Sequence, residues 1–500
     1  MNLYALLAAR FPREADAPCL ILPGGRRVSY AELESQSARY GALLAEAGLK
    51  PGDRVAAQVE KSAEALFLYL GCLRAGGVFL PLNPAYTRGE VAYFLDDAGP
   101  RLFVCDPQRM EEAQELAWAA RLPLVHDLGS LGEGSLAAAA AQMPDSFDTL
   151  ARADDDLASI VYTSGTTGRS KGAMLTHRNL AANARVLHQY WGFRPGDVLL
   201  HMLPTFHVHG LFVATHCALL NGSPMLFEPK FDAARALRLM QAATVFMGVP
   251  TYYVRLLQER GLTREAVSHM RLFISGSAPL LPETFNEFRE RTGHTLLERY
   301  GMTEGGMFTS NPLEGERRIG TVGFPLPGTE VRVVDAADRP LPAGEIGHIQ
   351  VRGDNVFDGY WQMPEKTQEE FTPEGFFRTG DMGRFDAEGY LAIIGRNKDL
   401  IITGGLNVYP KEIEEAIDAL PGVAESAVIG LPHPDFGEAV TAVVVRAKGT
   451  GGPDAEAIIA ELKGRIAGFK VPKAVHFVDD LPRNAMGKVQ KNLLRQRFGA

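Results

Sequence analysis

Directly behind an apolar run, Asp156 to Tyr162 (DLASIVY), the chain carries a stretch of hydroxyls and glycines with a lysine near its end: Thr163-Ser164-Gly165-Thr166-Thr167-Gly168-Arg169-Ser170-Lys171-Gly172. The apolar run reads as a buried strand, and Thr176 is placed to cap a helix from His177 onward, so the loop is expected between a strand and a helix. Such a loop suits an anion. Glycines let backbone N–H groups approach phosphate oxygens, hydroxyls donate further hydrogen bonds, and Lys171 brings positive charge. The spacing is not the P-loop's Gly-x-x-x-x-Gly-Lys-Ser/Thr: counted from Gly165, the second glycine position holds Ser170, and Gly172 follows the lysine. A different kind of nucleotide site is indicated.

The 500 residues exceed one ordinary core, so two or more domains are expected. With 46% hydrophobic and 22% charged residues, the composition is that of a folded globular protein. A formal charge of −9 argues against nucleic acid as a partner and leaves room for a local basic pocket. Cys19, Cys72, Cys105 and Cys217 are widely separated, which suggests neither a zinc site nor a disulfide framework, and a reducing compartment. Met1 to Arg10 lacks the basic region and cleavage site of a signal peptide and reads as an amphipathic helix. No run reaches the roughly 18 to 20 apolar residues that span a bilayer, so no membrane partner and a cytoplasmic location are expected.

From Ala31 to Ala47 apolar residues recur at helical spacing, and Pro51-Gly52 turns the chain into a strand at Asp53 to Val59. A helix at Ala63 to Ala75 ends at Gly76-Gly77, and the alternation continues through a helix around Asn179 to Tyr190 and a strand-like Val198 to Leu203. This is the pattern of an α/β domain on largely parallel sheets. Between Thr329 and Val351 the pattern changes to short strands broken by Pro and Gly. Beyond Gly395-Arg396-Asn397-Lys398-Asp399 a compact α+β unit follows, with helices near Lys411 to Ala419 and Ala455 to Ala467 and strands near Ala424 to Gly430 and Val440 to Val445.

Four further motifs follow the loop: Tyr300-Gly301-Met302-Thr303-Glu304, Arg378-Thr379-Gly380-Asp381, Gly395 to Asp399, and Pro482-Arg483-Asn484-Ala485-Met486-Gly487-Lys488. In this order they resemble the adenylate-forming superfamily of acyl- and aryl-coenzyme A synthetases, peptide-synthetase adenylation domains and firefly-type luciferases. The resemblance runs from Ser29-Tyr30 to Lys488. It implies a large α/β domain (1–397) with parallel-type sheets and a small β-barrel portion, hinged near Lys398 to a small, mobile α+β C-terminal domain (398–500). It also implies two half-reactions: a carboxylate is joined to the α-phosphorus of ATP with loss of pyrophosphate, and the thiolate of coenzyme A then displaces AMP.

Both reactants of the first step are anions, so the site has to offset their repulsion. By resemblance Thr163, Ser164, Gly165, Thr166, Thr167, Gly168 and Lys171 hold the β/γ-phosphates, Glu304 with Thr166 binds Mg2+, and Thr303 contacts the α-phosphate. Gly276, Ser277, Ala278 and Tyr300 lie about the adenine, with Glu298, Arg299, Gly301 and Met302 in the same nucleotide-binding set. Asp381 accepts from the ribose hydroxyls, as a carboxylate can accept two bonds from a diol, and Arg396 adds another ribose contact. Lys488 bridges the ribose and the reacting carboxylate, making the catalytic set Lys488, Thr303 and Glu304; Gly404 and Gly405 let the pantetheine arm of coenzyme A pass.

Leu203 to Gly210, Gly248 to Arg255, Ser275 to Pro279 and Glu298 to Ser310 are most similar to the malonyl-coenzyme A synthetase branch. There Arg255 takes a position at which monocarboxylate enzymes present neutral side chains, and a guanidinium suits the second carboxylate of malonate. His207, Val208, Ser277 and Met307 complete the expected acid pocket, Val208 and Met307 setting the room at carbon 2 for methylmalonate as a secondary substrate. Small molecules (malonate, ATP and coenzyme A) are the expected partners of a monomer or weak homo-oligomer. A ligase for another short acid and a free-standing carrier-loading adenylation enzyme are the alternatives.

Overall fold

The computed structural model describes residues 1–163, 170–403, 406–434, 436–447, 452–484 and 487–499. Among them, one sheet has six strands in the order Leu124–Asp127, Leu102–Cys105, Arg54–Gln58, Val78–Pro81, Leu157–Thr163 and Lys171–Thr176. A second has nine: Phe324–Pro325, Gly306–Ser310, Leu297–Met302, Leu272–Ser275, Val245–Gly248, Leu199–His201, Met225–Phe227, Pro18–Ile21 and Arg27–Ser29. Neighbours run parallel from Leu297–Met302 to Pro18–Ile21, and from Leu124–Asp127 to Leu157–Thr163.

Parallel strands covered on both faces are apolar on both, and Val245–Gly248 and Leu272–Ser275 are buried at every position. Their side chains alternate: Val245, Met247, Leu272 and Ile274 enter one core, Phe246 and Phe273 the other. The helix Ala63–Arg74 is buried almost all round, since Leu66, Phe67, Leu70 and Leu73 lie in the core that also takes Val55 of the first sheet and Leu199 of the second. Helix Tyr30–Glu46 and strand Arg54–Gln58 stand where helical spacing and the Pro-Gly turn put them, and the hydroxyl of Ser29 caps the helix by accepting from Glu32 N–H.

Immediately after the glycine-rich loop the sequence reading requires correction. Lys171–Thr176 is a strand, antiparallel to Leu157–Thr163 with Lys171 opposite Thr163, so the loop joins two strands and the helix comes one element later. The cause is tertiary: Met174 N–H donates to Gly359 O at 3.0 Å and Trp361 N–H to Gly172 O at 2.8 Å, pairings made with residues far along the chain. Thr176 does cap the helix His177–Tyr190, accepting from Asn179 N–H while the Asn179 side chain accepts from Thr176 N–H.

Thr329–Val334, Gly347–Gly353, Phe377–Phe385 and Leu391–Arg396 form a four-stranded antiparallel sheet. A turn at Asn397–Asp399 then leads into a last sheet of Leu406–Val408, Ile401–Thr403, Gly437–Arg446, Val423–His433 and Ala474–Val478. This C-terminal part has its own core of Ile401, Ile413, Ile417, Val440, Val444, Ile458 and Leu462, packed beneath the helices Pro410–Asp418 and Ala455–Lys463. No helix among the described residues is long and apolar enough to cross a membrane.

Candidate active site

Ligands of parallel α/β sheets bind beyond the carboxyl ends of the strands. There, in the nine-stranded sheet, the chain leaving Leu199–His201, Val245–Gly248, Leu272–Ser275 and Leu297–Met302 brings the expected site residues together. Among the strands' ends one close approach requires glycine, since a Cβ on Gly301 would stand 1.9 Å from the carbonyl oxygen of Gly306; a Cβ on Gly276 would stand 2.6 Å from the guanidinium carbon of Arg299 and would displace that side chain.

On one side of the crevice Asp381, buried, accepts from the Tyr300 hydroxyl at 2.5 Å, and Arg396 Nε lies 3.4 Å from its other oxygen. Strand pairing sets Asp381 directly opposite Arg396. Burial, reinforced by Asp381, raises the Tyr300 phenol well above its usual pKa, so it is a donor. In the turn between Leu297–Met302 and Gly306–Ser310, Thr303 is half-buried and Glu304 is buried. Glu304 accepts from the Tyr360 hydroxyl at 3.0 Å; burial raises its carboxyl, opposed by that bond and by the charges of Lys171 and Lys488. The Lys171 ammonium stands 4.1 Å over the Tyr360 ring and 3.7 Å from Glu370. Among the described residues no group of three or more His, Cys, Asp and Glu gathers as for a metal cage. A single buried carboxylate fits an ion that arrives on nucleotide phosphates and keeps its other oxygen ligands.

Lys488 joins this side to the next. Burial and the neighbouring Arg396 pull its ammonium down to about 8, while Asp381 and Glu304 oppose the shift. Its charge also helps hold the His207 imidazole, chiefly depressed by burial, down at about 3. Deeper in the crevice, Ser277 adopts φ 73°, a left-handed conformation unusual outside glycine and asparagine. Its hydroxyl thereby lies 3.3 Å from His209 Nδ1 and accepts from Arg299 Nη2 at 3.4 Å. Arg299 is 3% exposed, and its Nε finds no hydrogen-bond partner; burial pulls its guanidinium down to about 9, still protonated at neutral pH. His209 is buried, neutral, and also has an unpartnered nitrogen, Nε2. Among the described residues no carboxylate pairs with Arg299, and a buried cation left in this way is suited to an anionic ligand.

The sequence profile of the AMP-binding enzyme family matches residues 7–361, and that of the AMP-binding enzyme C-terminal domain matches residues 412–488. The chain belongs to the AMP-binding enzyme family. Its fold is similar to that of MatB from Rhodopseudomonas palustris, solved with ATP bound, at a TM-score of 0.97 and 56% identity over 100% of this chain and 99% of that one. The malonate–CoA ligase of Arabidopsis thaliana is 36% identical over 97% of this chain and 87% of its own length. The sulfoacetate–CoA ligase of Cupriavidus necator is 35% identical over 98% and 96%.

In this AMP-binding enzyme the charges of Lys488, Arg396, Asp381, Glu304 and Arg299 act on one another, with His207 and Ser277 beside them, whereas Arg255 is exposed. Arg255 lies on the exposed face of the helix Pro250–Gln258, one turn past Thr251, which stands 3.4 Å from where a Cβ of Gly487 would be. It is thus a rim residue, and the buried cation is Arg299, which the sequence grouped with the nucleotide. Glu298 points to the opposite face of the strand from Arg299, where burial lifts its carboxyl to about 7 against the charge of Lys411. Val208 and Met307 are both buried, and Asn183 grips Met307 by its N–H and carbonyl at 3.2 and 2.9 Å. Gly301, Met302 and Ala278 are half-buried at the strand ends, and Lys398 is exposed in the turn Asn397–Asp399. Ser164, Gly165, Thr166, Thr167 and Gly168 of the phosphate loop, and Gly404 and Gly405, lie outside the described residues. Tyr360 and Glu370 carry no motif in the sequence. Neither does Lys61, whose buried ammonium donates to the carbonyls of His201 and Leu203 at 2.8 and 3.0 Å, anchoring the segment that bears His207 to His209.

Proposed function

We propose that the protein joins malonate to coenzyme A, using ATP and passing through malonyl-AMP. The observation that carries the reading is the buried Arg299 guanidinium, beside Ser277 and His209 and without a carboxylate of its own. A diacid fits: one carboxylate lies on Arg299 while the other, about two bonds of carbon away, faces the nucleotide and Lys488. The kinship with a malonate–CoA ligase supports this, as does that with a ligase for sulfoacetate, an acid that also carries a second anionic group.

In the first half-reaction a carboxylate oxygen bonds to the α-phosphorus of ATP and the bond to pyrophosphate breaks. Asp381 and Arg396 hold the ribose, Lys171 faces the phosphates, and Thr303 faces the α-phosphate. Glu304 would hold Mg2+, with Thr166 by the resemblance, and the ion would supply neutralisation of phosphate charge. Lys488 offsets the charge that gathers between carboxylate and phosphate. In the second, the coenzyme A sulfur bonds to the acyl carbon and AMP leaves with the electron pair of the C–O bond, so no protein nucleophile takes part. The neutral imidazoles of His207 and His209 add no competing cation to the pocket. The test is AMP formation, with and without coenzyme A, across acetate, malonate, methylmalonate and succinate. Malonate gives the highest kcat/KM and methylmalonate follows; acetate or succinate in first place overturns the reading.

The two steps are read as sharing one site by rotation of residues 398–500 against 1–397 about Lys398, with Gly404 and Gly405 admitting the pantetheine. Lys398→Pro is tolerated in a tight helical turn, since proline's fixed φ suits it, but it resists the dihedral change of a hinge. Thioester formation from supplied malonyl-AMP therefore falls by about 10²-fold while adenylation stays within a few-fold. Equal rates of transfer in variant and parent remove Lys398 from the hinge.

A further inference from the structure

Lys488 is useful only if its backbone is held, and the segment that bears it lies on the surface of the C-terminal unit, between the strand Ala474–Val478 and the helix Lys491–Phe498. Its base is closed by backbone bonds: Gln490 N–H donates to Pro482 O at 2.7 Å and Asn484 N–H to Lys488 O at 2.9 Å, and Arg483 pairs with Val489 as an isolated bridge. Asn484 also accepts from Lys488 N–H through its side chain at 3.0 Å. One charged side chain ties this segment to the sheet beneath. Arg483 donates from Nη1 to the carbonyl of Gly487 at 2.6 Å and from Nη2 to Glu425, which stands on the strand Val423–His433, paired along its length with Gly437–Arg446.

The carbonyl of Gly487 belongs to the peptide plane that contains the Lys488 nitrogen, and Gly487 has φ 74°, a conformation that other residues rarely adopt. A guanidinium is a planar fork, so its two bonds fix the carbonyl relative to the sheet in direction as well as distance. We propose that Arg483, itself held by Glu425, is the positioning residue of Lys488: it sets the peptide from which the lysine reaches into the crevice. This rests on the reading of Lys488 as the lysine of the adenylation step. Because Lys488 serves only that step, Arg483 acts on that step alone, although it touches neither substrate.

The experiment measures ATP–pyrophosphate exchange with whichever acid the parent enzyme uses best, and separately the transfer of supplied acyl-AMP to coenzyme A, for Arg483→Met, Arg483→Lys, Glu425→Gln and Lys488→Ala. Displacing a catalytic group by about 1 Å costs about 10²-fold, so Arg483→Met lowers kcat of exchange by about that factor with the KM for ATP and acid little changed. Transfer stays within a few-fold of the parent. Arg483→Lys, which keeps the charge but not the fork, and Glu425→Gln, which keeps the neighbour's shape but not its charge, fall between parent and Arg483→Met. A general fold defect lowers both half-reactions together, and that result in the two Arg483 variants and Glu425→Gln overturns the proposal. Parent-like exchange in folded Arg483→Met also overturns it. Lys488→Ala that keeps exchange overturns the reading of Lys488, whereas a Lys488→Ala split with none in Arg483→Met refutes the positioning role alone.

Discussion

Lys488→Ala lowers the rate of acyl-adenylate formation by about 10³-fold and leaves transfer from supplied malonyl-AMP to coenzyme A within a few-fold. The lysine stands where the two halves of the site meet: its charge is felt at Glu304 and at His207, and Asp381 and Glu304 partly offset the loss caused by burial. In the proposed mechanism that is where negative charge builds as carboxylate meets phosphate, and it is absent from thioester formation, in which the acyl group is already activated. A pH profile separates this role from a packing role. With its ammonium pulled down to about 8, Lys488 is charged below that pH and loses its proton above it. Adenylation kcat/KM, which reports the free enzyme, is therefore flat below about pH 8 and falls above it. In Lys488→Arg the fall moves to higher pH, because a guanidinium keeps its proton. An unmoved alkaline limb in that variant assigns the titration to another group, and equal loss of both half-reactions in folded Lys488→Ala removes the lysine from the first step.

Arg299→Met lowers kcat/KM for malonate by about 10²-fold or more, the roughly 3 kcal/mol or greater penalty for leaving one member of a buried charge pair alone. Turnover of propionate falls little or rises, since a methionine of similar length suits an apolar tail. The protein itself should melt no lower than the parent: in the free enzyme Arg299 is a buried cation with an unpartnered Nε and no carboxylate at ion-pair distance, the charge of Glu298 on the opposite face of the strand only partly offsetting its burial, and replacing such a group with an apolar side chain relieves a desolvation cost. Steady-state kinetics on both acids with a melting curve test this together. Arg255→Leu is the companion variant. From an exposed position, an ion pair contributes at most about 1 kcal/mol, so malonate use falls by no more than about fivefold. Steep malonate loss in Arg255→Leu with near-parent kinetics in Arg299→Met would reverse the assignment and restore the choice made from sequence.

The sequence by itself determined the order of the parts. Tyr300 to Glu304, Gly380-Asp381 and Gly487-Lys488 are local motifs, and their glycines answer to backbone needs, Gly380 and Gly487 by a positive φ. Gly301 is an example, its neighbour at Gly306 leaving no room for a Cβ. Helices such as Tyr30–Glu46 and His177–Tyr190 were legible for the same reason, since a cap and a helical period lie within one stretch of chain. Tertiary structure decided what depends on contacts between distant residues. The strand Lys171–Thr176 exists through pairing with Gly359 and Trp361 as well as with the strand before it, a pairing no local pattern encodes. Tyr360 enters the site by the same route, and Lys61 anchors it from the first sheet's own loop. The choice between Arg255 and Arg299 is the sharpest case. Both arginines look alike in sequence, and only the packing of a strand against Gly276 and Ser277 buries one guanidinium while the end of a helix leaves the other in solvent. Burial, which gives a charge its demand for a partner, is a property of the folded chain as a whole.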